Sequence, residues 1–267
     1  RETDNLKALP QVGGFRLESP YLARTGAGTN RDLSPIRAAT TARLLRAGGG
    51  WIRIWDLSPE LPGAATAIRS LTRSGVLCTM AHTDATIDQA RAAVDAGARL
   101  VTHLFDTFVV PRMVDGGVYP TGLIDYFLVE DRVACEIIAD GTHVSALHVE
   151  KTLRCKPAGS VLFVTDSSYG AGLKAGDYTL PQGWGRVRIN GSNNGVRMID
   201  RGMGLAGSAL TPIDGFRNAV RLFGQSLGAA SRLCSANPAR LLGLNKGVIE
   251  PGRDADVLVL SPSMDLQ

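Results

Sequence analysis

Histidine is scarce in this chain, four among 267 residues, and cysteine is no commoner. The four cysteines, Cys78, Cys135, Cys155 and Cys234, include no C-x-x-C pair, so neither a disulfide framework nor a dithiol motif is expected. Cys78 and Cys135 lie in apolar runs, where buried free thiols in a reducing compartment are the expectation. No run of about 18 apolar residues occurs, and no basic segment leads into an apolar one near the N-terminus. A membrane span and a secretory leader are therefore not expected, and the location implied is cytoplasmic. The sequon Asn190-Gly191-Ser192 would matter only in a secreted chain. With 29 basic against 25 acidic residues, and no block of like charge, neither nucleic acid nor a membrane surface is implied as a partner.

What is present is ordinary for a globular enzyme: 44% hydrophobic and 20% charged residues, with 31 glycines. Short β-rich runs alternate with helical patterns. Strands are predicted at 14–17, 51–55, 76–81, 100–102, 134–139 and 161–165, and crossover helices at 35–46, 64–73, 87–96 and 146–154. Ser34-Pro35 suits the start of the first helix. A polar residue stands at or just past each strand end: Glu18, Asp56, His82, His103, Asp140 and Asp166, separated by 21 to 38 residues. That interval is what a strand, a helix and two turns require. Such alternation means a parallel sheet, open or closed. After Asp166 the rhythm changes. Residues 178–198 read as two short strands around Asn193-Asn194-Gly195, a hairpin signal. Helices are predicted at 211–223, 229–233 and from 238, and a final strand at 256–260.

Two imidazoles, His82 and His103, and two carboxylates, Glu18 and Asp166, at equivalent strand ends form a donor set suited to a zinc-type ion and hydrolytic chemistry. Geometry then bears on the fold. In a flat sheet, strand ends three apart are separated by roughly 14 Å, too far to share one ion. Closing the sheet turns those ends inward, so a shared metal favours a barrel. His143 follows Asp140-Gly141, a turn able to aim its ring across the strand ends, while His148 reads as a structural residue of its helix. Gly202-x-Gly204-x-x-Gly207 has the dinucleotide string without the βαβ setting it needs, so no such cofactor is expected. The same glycines, ahead of a helix, could instead offer N–H groups to a substrate oxygen or phosphate.

The strings Gly14-Phe15-Arg16-Leu17-Glu18-Ser19-Pro20-Tyr21-Leu22, Ala81-His82-Thr83-Asp84-Ala85, Thr102-His103-Leu104-Phe105, Ala139-Asp140-Gly141-Thr142-His143, Val164-Thr165-Asp166 and Leu205-Ala206-Gly207-Ser208-Ala209-Leu210, in that order, resemble the N-acetylglucosamine-6-phosphate deacetylases of the amidohydrolase superfamily. The likeness runs from about Gly14 to Leu260. It implies a (β/α)₈ TIM-type barrel, of which strands three to eight are present, with a remnant of a small β-sandwich. Residues 1–243 would be the partial barrel, with a hairpin excursion at about 177–200, and 244–267 the sandwich strand region. Two barrel strands would then lie upstream of Arg1.

By the same resemblance, Glu18, His82 and His103 are the ligands of a divalent metal, zinc foremost, as one ion or two. Asp166 is the catalytic acid/base. His143, Asp106, Thr107, Arg112, Ala27, Leu205, Ala206 and Gly207 contact substrate. The implied activity is metal-dependent hydrolysis of the acetamide of N-acetylglucosamine 6-phosphate, with a homodimer as the full-length form. Arg16 and Ser19 depart from the family's His-Leu-Glu-Gly-Pro string, and Asp106-Thr107 stand where Asn-Ala is usual. These departures keep two alternatives open: a related deacetylase of another N-acetyl amino sugar, such as N-acetylgalactosamine 6-phosphate, and a non-catalytic relic in which Arg16 pairs with Glu18 in the ligand site.

Overall fold

The computed structural model describes residues 12–26 and 33–267, so Ala27 lies outside the described residues. Two compact units divide the chain, Arg1–Cys135 and Glu136–Gln267.

The first unit is four β/α steps. Its strands are β1 (Phe15–Leu17), β2 (Ile52–Leu57), β3 (Leu77–Met80) and β4 (Leu100–Val101), parallel and adjacent in chain order. Four helices go with them: α1 (Ala38–Ala47), α2 (Ala64–Arg73), α3 (Ile87–Ala96) and α4 (Leu123–Val129). Helix α2 buries Ala64, Ala67, Ile68 and Leu71, a spacing that keeps one face of a 3.6-residue helix on the sheet. Helix α3 starts at a capping box, Thr86 with Gln89, and stops at Gly97, whose φ of 120° suits glycine alone. The core runs through Ile68, Leu71, Met80, Val94 and Phe127, with Tyr21 stacked on Trp55 at 5.5 Å.

Two elements differ from expectation here. Helix α1 begins three residues later than Pro35, because Arg37 is extended and the Ser34 N–H donates to the Pro20 carbonyl, which holds the chain straight. Helix α4 has no counterpart among the predicted elements: its Leu-Ile-Asp-Tyr-Phe-Leu-Val run is too short and too uniformly apolar to display a helical period. Its C-terminus is secured where Glu130 accepts from both Arg132 Nε and Nη2, at 2.8 and 2.7 Å, and Arg132 Nη1 reaches Asp95.

Strand β5 (Ala134–Ile138) pairs with β4 through Ala134 and Cys135. In the second unit, its remaining residues lie beside β6 (Val161–Val164), with α5 (Ala146–Cys155) between them in sequence. All six predicted parallel strands are thus present within a residue or two. The hairpin is larger than predicted: β7 (Gly176–Thr179), β8 (Arg186–Ile189), β9 (Val196–Met198) and β10 (Gly204–Leu205) make a four-stranded antiparallel sheet in the order β10-β9-β8-β7. It folds over its own apolar cluster of Val187, Ile189, Val196 and Met198. Helices α6 (Pro212–Arg221), α7 (Leu227–Ser231) and α8 (Asn237–Leu241) follow, the last two joined by a π-helical stretch at Arg232–Ala236.

The strand expected at 256–260 does not form. Among the described residues nothing pairs there but a single bridge, Leu260 to Leu266, and Val257, Leu258 and Val259 are exposed. β-propensity without a neighbouring ladder does not make a strand. The cysteines are all free, with Cys78 and Cys135 buried, and burial pushes the Cys78 thiol up to about 12. Among the described residues no helix is long and apolar enough to cross a membrane.

Candidate active site

In the first unit, three predicted ligands stand just past the C-terminal ends of three strands. Glu18 follows β1, His82 lies two residues beyond β3, and His103 two beyond β4. Both histidines have left-handed backbones, φ 47° and 28°, which turn each ring sharply away from its strand direction. Strands β1 and β4 are three apart in the sheet, yet Glu18 Oε1 lies 2.8 Å from His82 Nε2 and 3.7 Å from His103 Nε2. The sheet is therefore strongly curved. One donor atom from each residue falls within a 4.8 Å cluster.

These residues fit a divalent ion. Tetrahedral ligands at zinc distances sit roughly 3.3 Å from one another, between the two separations observed. Two imidazoles with one carboxylate suit an ion of borderline softness, and three protein ligands leave a fourth position for a reactant. Burial pushes the Glu18 carboxyl up, but hydrogen bonding and charge from His103 and His82 outweigh it and hold the group below the ordinary carboxylate range. The pairing keeps a negative oxygen between the two rings.

Residues that the sequence reading left without a role surround this cluster. Arg16 grips the fully buried Asp56 with Nε and Nη2, each at 2.8 Å, and Nη2 also donates to Thr102 Oγ1 at 2.7 Å. Thr102 in turn bonds Asp56 and, at 2.7 Å, Thr79. One polar side chain from each of β1 to β3, with Thr102 just past β4, is thereby tied beneath the cluster. Arg16 thus uses its fork on Asp56, which the relic alternative had directed at Glu18. Ser58 and Glu60, just after β2, bind the backbone on either side of His82. Their only sequence signal is position at a strand end.

On the loop after His103, Phe105 and Thr107 take positive φ, 83° and 58°. For a β-branched residue such as Thr107 that is a rare conformation, of the kind that collects at functional sites. Asp106 is half-buried and its N–H donates to the His103 carbonyl, whereas Arg112 is exposed.

In the second unit, the carboxylate of the buried Asp140 takes both the Thr142 and His143 N–H groups on Oδ1 and sits 2.7 Å from His143 Nδ1 with Oδ2. Gly141, at φ 71°, makes the turn that allows it. A Cβ on Gly195 would lie 2.5 Å from Leu205 and 3.6 Å from the His143 ring, so Leu205 and His143 are gathered around that glycine. Asp166, at φ 47°, follows β6, and its carbonyl accepts the Ser208 N–H at 2.8 Å. Gly207 is packed against it. The glycine string thus belongs to the β9–β10 strand connection, and the N–H groups of Ala206 and Ser208 are taken up by Val196 and Asp166. Those two donors are not open to a ligand. His148 is exposed on α5 with its Nδ1 3.0 Å from Ser145 Oγ, a helix-end contact.

Parallel β/α units whose strand ends converge on a metal-type triad define an α/β protein of the TIM-barrel class. The amidohydrolase family's sequence profile matches residues 73–266, and the chain belongs to that family. It is 33% identical over 96% of its length to N-acetylgalactosamine-6-phosphate deacetylase of Escherichia coli O157:H7, covering 66% of that protein. It is 32% identical over 96% of its length to human N-acetylglucosamine-6-phosphate deacetylase, covering 63% of it. Among solved structures, a mutant N-acetyl-D-glucosamine-6-phosphate deacetylase from Mycobacterium smegmatis, in complex with N-acetyl-D-glucosamine-6-phosphate, superposes with a TM-score of 0.87 at 30% identity. That match covers 99% of this chain and 68% of the other. The chain therefore spans about two thirds of the length of the proteins it matches, and its fold is part of the amidohydrolase barrel.

Proposed function

We propose that this chain is the larger part of a metal-dependent deacetylase that hydrolyses the acetamide of N-acetylglucosamine 6-phosphate to glucosamine 6-phosphate and acetate. The observation carrying this is the convergence of Glu18, His82 and His103 from three strand ends. Glu18, His82 and His103 would hold a divalent ion, zinc by donor type, and when bound it would supply a water acidified to a pKa of about 7. Asp166 takes the proton released as a water oxygen adds to the acetamide carbon and returns it to the amine as the C–N bond breaks, so one carboxylate serves both steps. His143, its Nδ1 held by Asp140, presents Nε2 to the carbonyl oxygen as charge builds there. Substrate contacts are assigned to Asp106, Thr107, Arg112, Leu205, Ala206 and Gly207, with Ala27 outside the described residues. Residues 1–243 form the barrel portion and 244–267 a sandwich remnant. The full-length protein is a cytoplasmic homodimer acting on a small amino-sugar phosphate.

A second reading has its own support. The relative at 33% identity is a galactosamine-series enzyme, and Asp106-Thr107 stand where the glucosamine enzymes usually carry Asn-Ala. Turnover of N-acetylglucosamine, N-acetylgalactosamine and their 6-phosphates by the full-length protein separates the two. Preference for N-acetylglucosamine 6-phosphate is expected; preference for the galactose-series epimer moves the assignment to the second reading, and no turnover of any of them overturns both.

Gly207 tests the neighbourhood of Asp166. A Cβ there would meet the Asp166 carbonyl at 2.6 Å and its carboxylate at 3.4 Å, on a backbone at φ 68°. Gly207→Ala is expected to cost about 1–2 kcal/mol from the backbone alone and to lower kcat by displacing Asp166. Melting temperature and saturating turnover, measured together, check both effects.

A further inference from the structure

We infer that Ser58 and Glu60 are positioning residues that clamp His82 in its ligand orientation through the backbone, in place of a hydrogen bond to the ring; the inference rests on the metal-site reading above. A metal-bound histidine ordinarily donates its second ring nitrogen to a carboxylate or carbonyl, which fixes the ring. Among the described residues, the buried Nδ1 of His82 meets no such partner. Its backbone is also left-handed, at φ 47°, a conformation that persists for a non-glycine residue only where the surroundings enforce it.

The enforcement comes from the turn after β2. The fully buried Ser58 hydroxyl donates to the carbonyls of Ala81 and His82, both at 2.9 Å, and accepts the Ala23 N–H at 2.8 Å. One side chain thus joins the segment that follows Glu18 to the peptide of His82. Two residues on, Glu60 accepts the Thr83 hydroxyl at 2.5 Å on one oxygen and the Asp84 N–H at 2.8 Å on the other. The Thr83 hydroxyl also receives the Ala85 N–H at 2.9 Å, so the loop is held from His82 through Ala85. With both flanks fixed, the Cβ direction of His82 follows, and packing against His103 at 5.0 Å sets the ring plane.

The test is Co²⁺ binding by the full chain, read by chelator competition and by the visible absorption band, which reports coordination geometry. Ser58→Ala is expected to weaken Co²⁺ binding about 10–100-fold, the range for losing a partner behind a ligand, and to alter the band. Thr41→Val serves as control, since it removes a buried hydroxyl on helix α1 that bonds the Tyr21 hydroxyl. It should lower the melting temperature while leaving affinity and band unchanged. If Ser58→Ala does not fold, Glu60→Ala, at a partly exposed side chain, carries the same expectation, with partial recovery in Glu60→Gln. Wild-type protein that takes up no metal overturns the metal-site reading and this inference with it. Metal-binding wild type alongside variants of equal affinity and identical band overturns this inference alone.

Discussion

Asp166→Asn is expected to lower kcat by about 10²–10⁴-fold while leaving metal content and melting temperature near wild type. The substitution keeps shape and removes only the capacity to accept and return a proton. Asp166 holds its place through its backbone, with φ 47° after β6 and its carbonyl taking the Ser208 N–H. An amide side chain leaves both of those features intact. In the proposed reaction one group handles the proton at addition and at amine departure, so no partial bypass through a second step is available. Saturating kinetics paired with elemental analysis decide the matter: a variant with wild-type kcat removes Asp166 from the reaction, and one that has lost its metal shows the residue acts as a ligand instead.

Glu18→Ala is expected to abolish tight metal binding, by more than the 10–100-fold loss typical of a partner behind a ligand. It removes the one anionic donor and leaves two imidazoles, His82 buried at 6% and His103 at 3% relative exposure, without the carboxylate that lies between them. Metal at about 100 times its dissociation constant should stabilise wild-type protein by about 2.7 kcal/mol and the variant by nothing. Thermal melts with and without Zn²⁺, after chelator treatment, give the readout. A metal-dependent upward shift of equal size in both proteins would show that the ion sits elsewhere.

Much of the first unit could be read without coordinates because each step obeys a local rule. Helices α2 and α3 show their buried face at helical spacing, and the Thr86 and Gln89 box marks a start that needs no tertiary information. Helix α1 was displaced because a long-range bond, from Ser34 to Pro20, competes with an otherwise acceptable N-terminal Pro. The strand expected at 256–260 shows the opposite limit: a short run of apolar, partly β-branched residues describes a capacity to pair, and pairing takes a second chain segment. In the excursion, the Asn193-Asn194-Gly195 turn was legible, but the two outer strands were not, since Gly176-Asp177-Tyr178-Thr179 and Gly204-Leu205 are too short and polar to show a period of two.

The candidate site divides along the same line. Glu18, His82, His103, Asp140 and Asp166 were identifiable as polar residues ending apolar runs, and motif order singled out which of them to treat as chemical. Ser58, Glu60 and the pairing of Arg16 with Asp56 were not, because a serine or glutamate past a strand looks the same whether it grips a neighbouring loop or faces water.

Primary structure by itself determined the alternation of strand and helix, the donor types, and where along each unit those donors stand, since all three follow from side-chain chemistry and local backbone preference. Whether Glu18 and His103, 85 positions apart, come within 3.7 Å was decided by tertiary structure alone. Curvature of a sheet is the sum of many small twists and packing contacts across several strands, and no single segment encodes it.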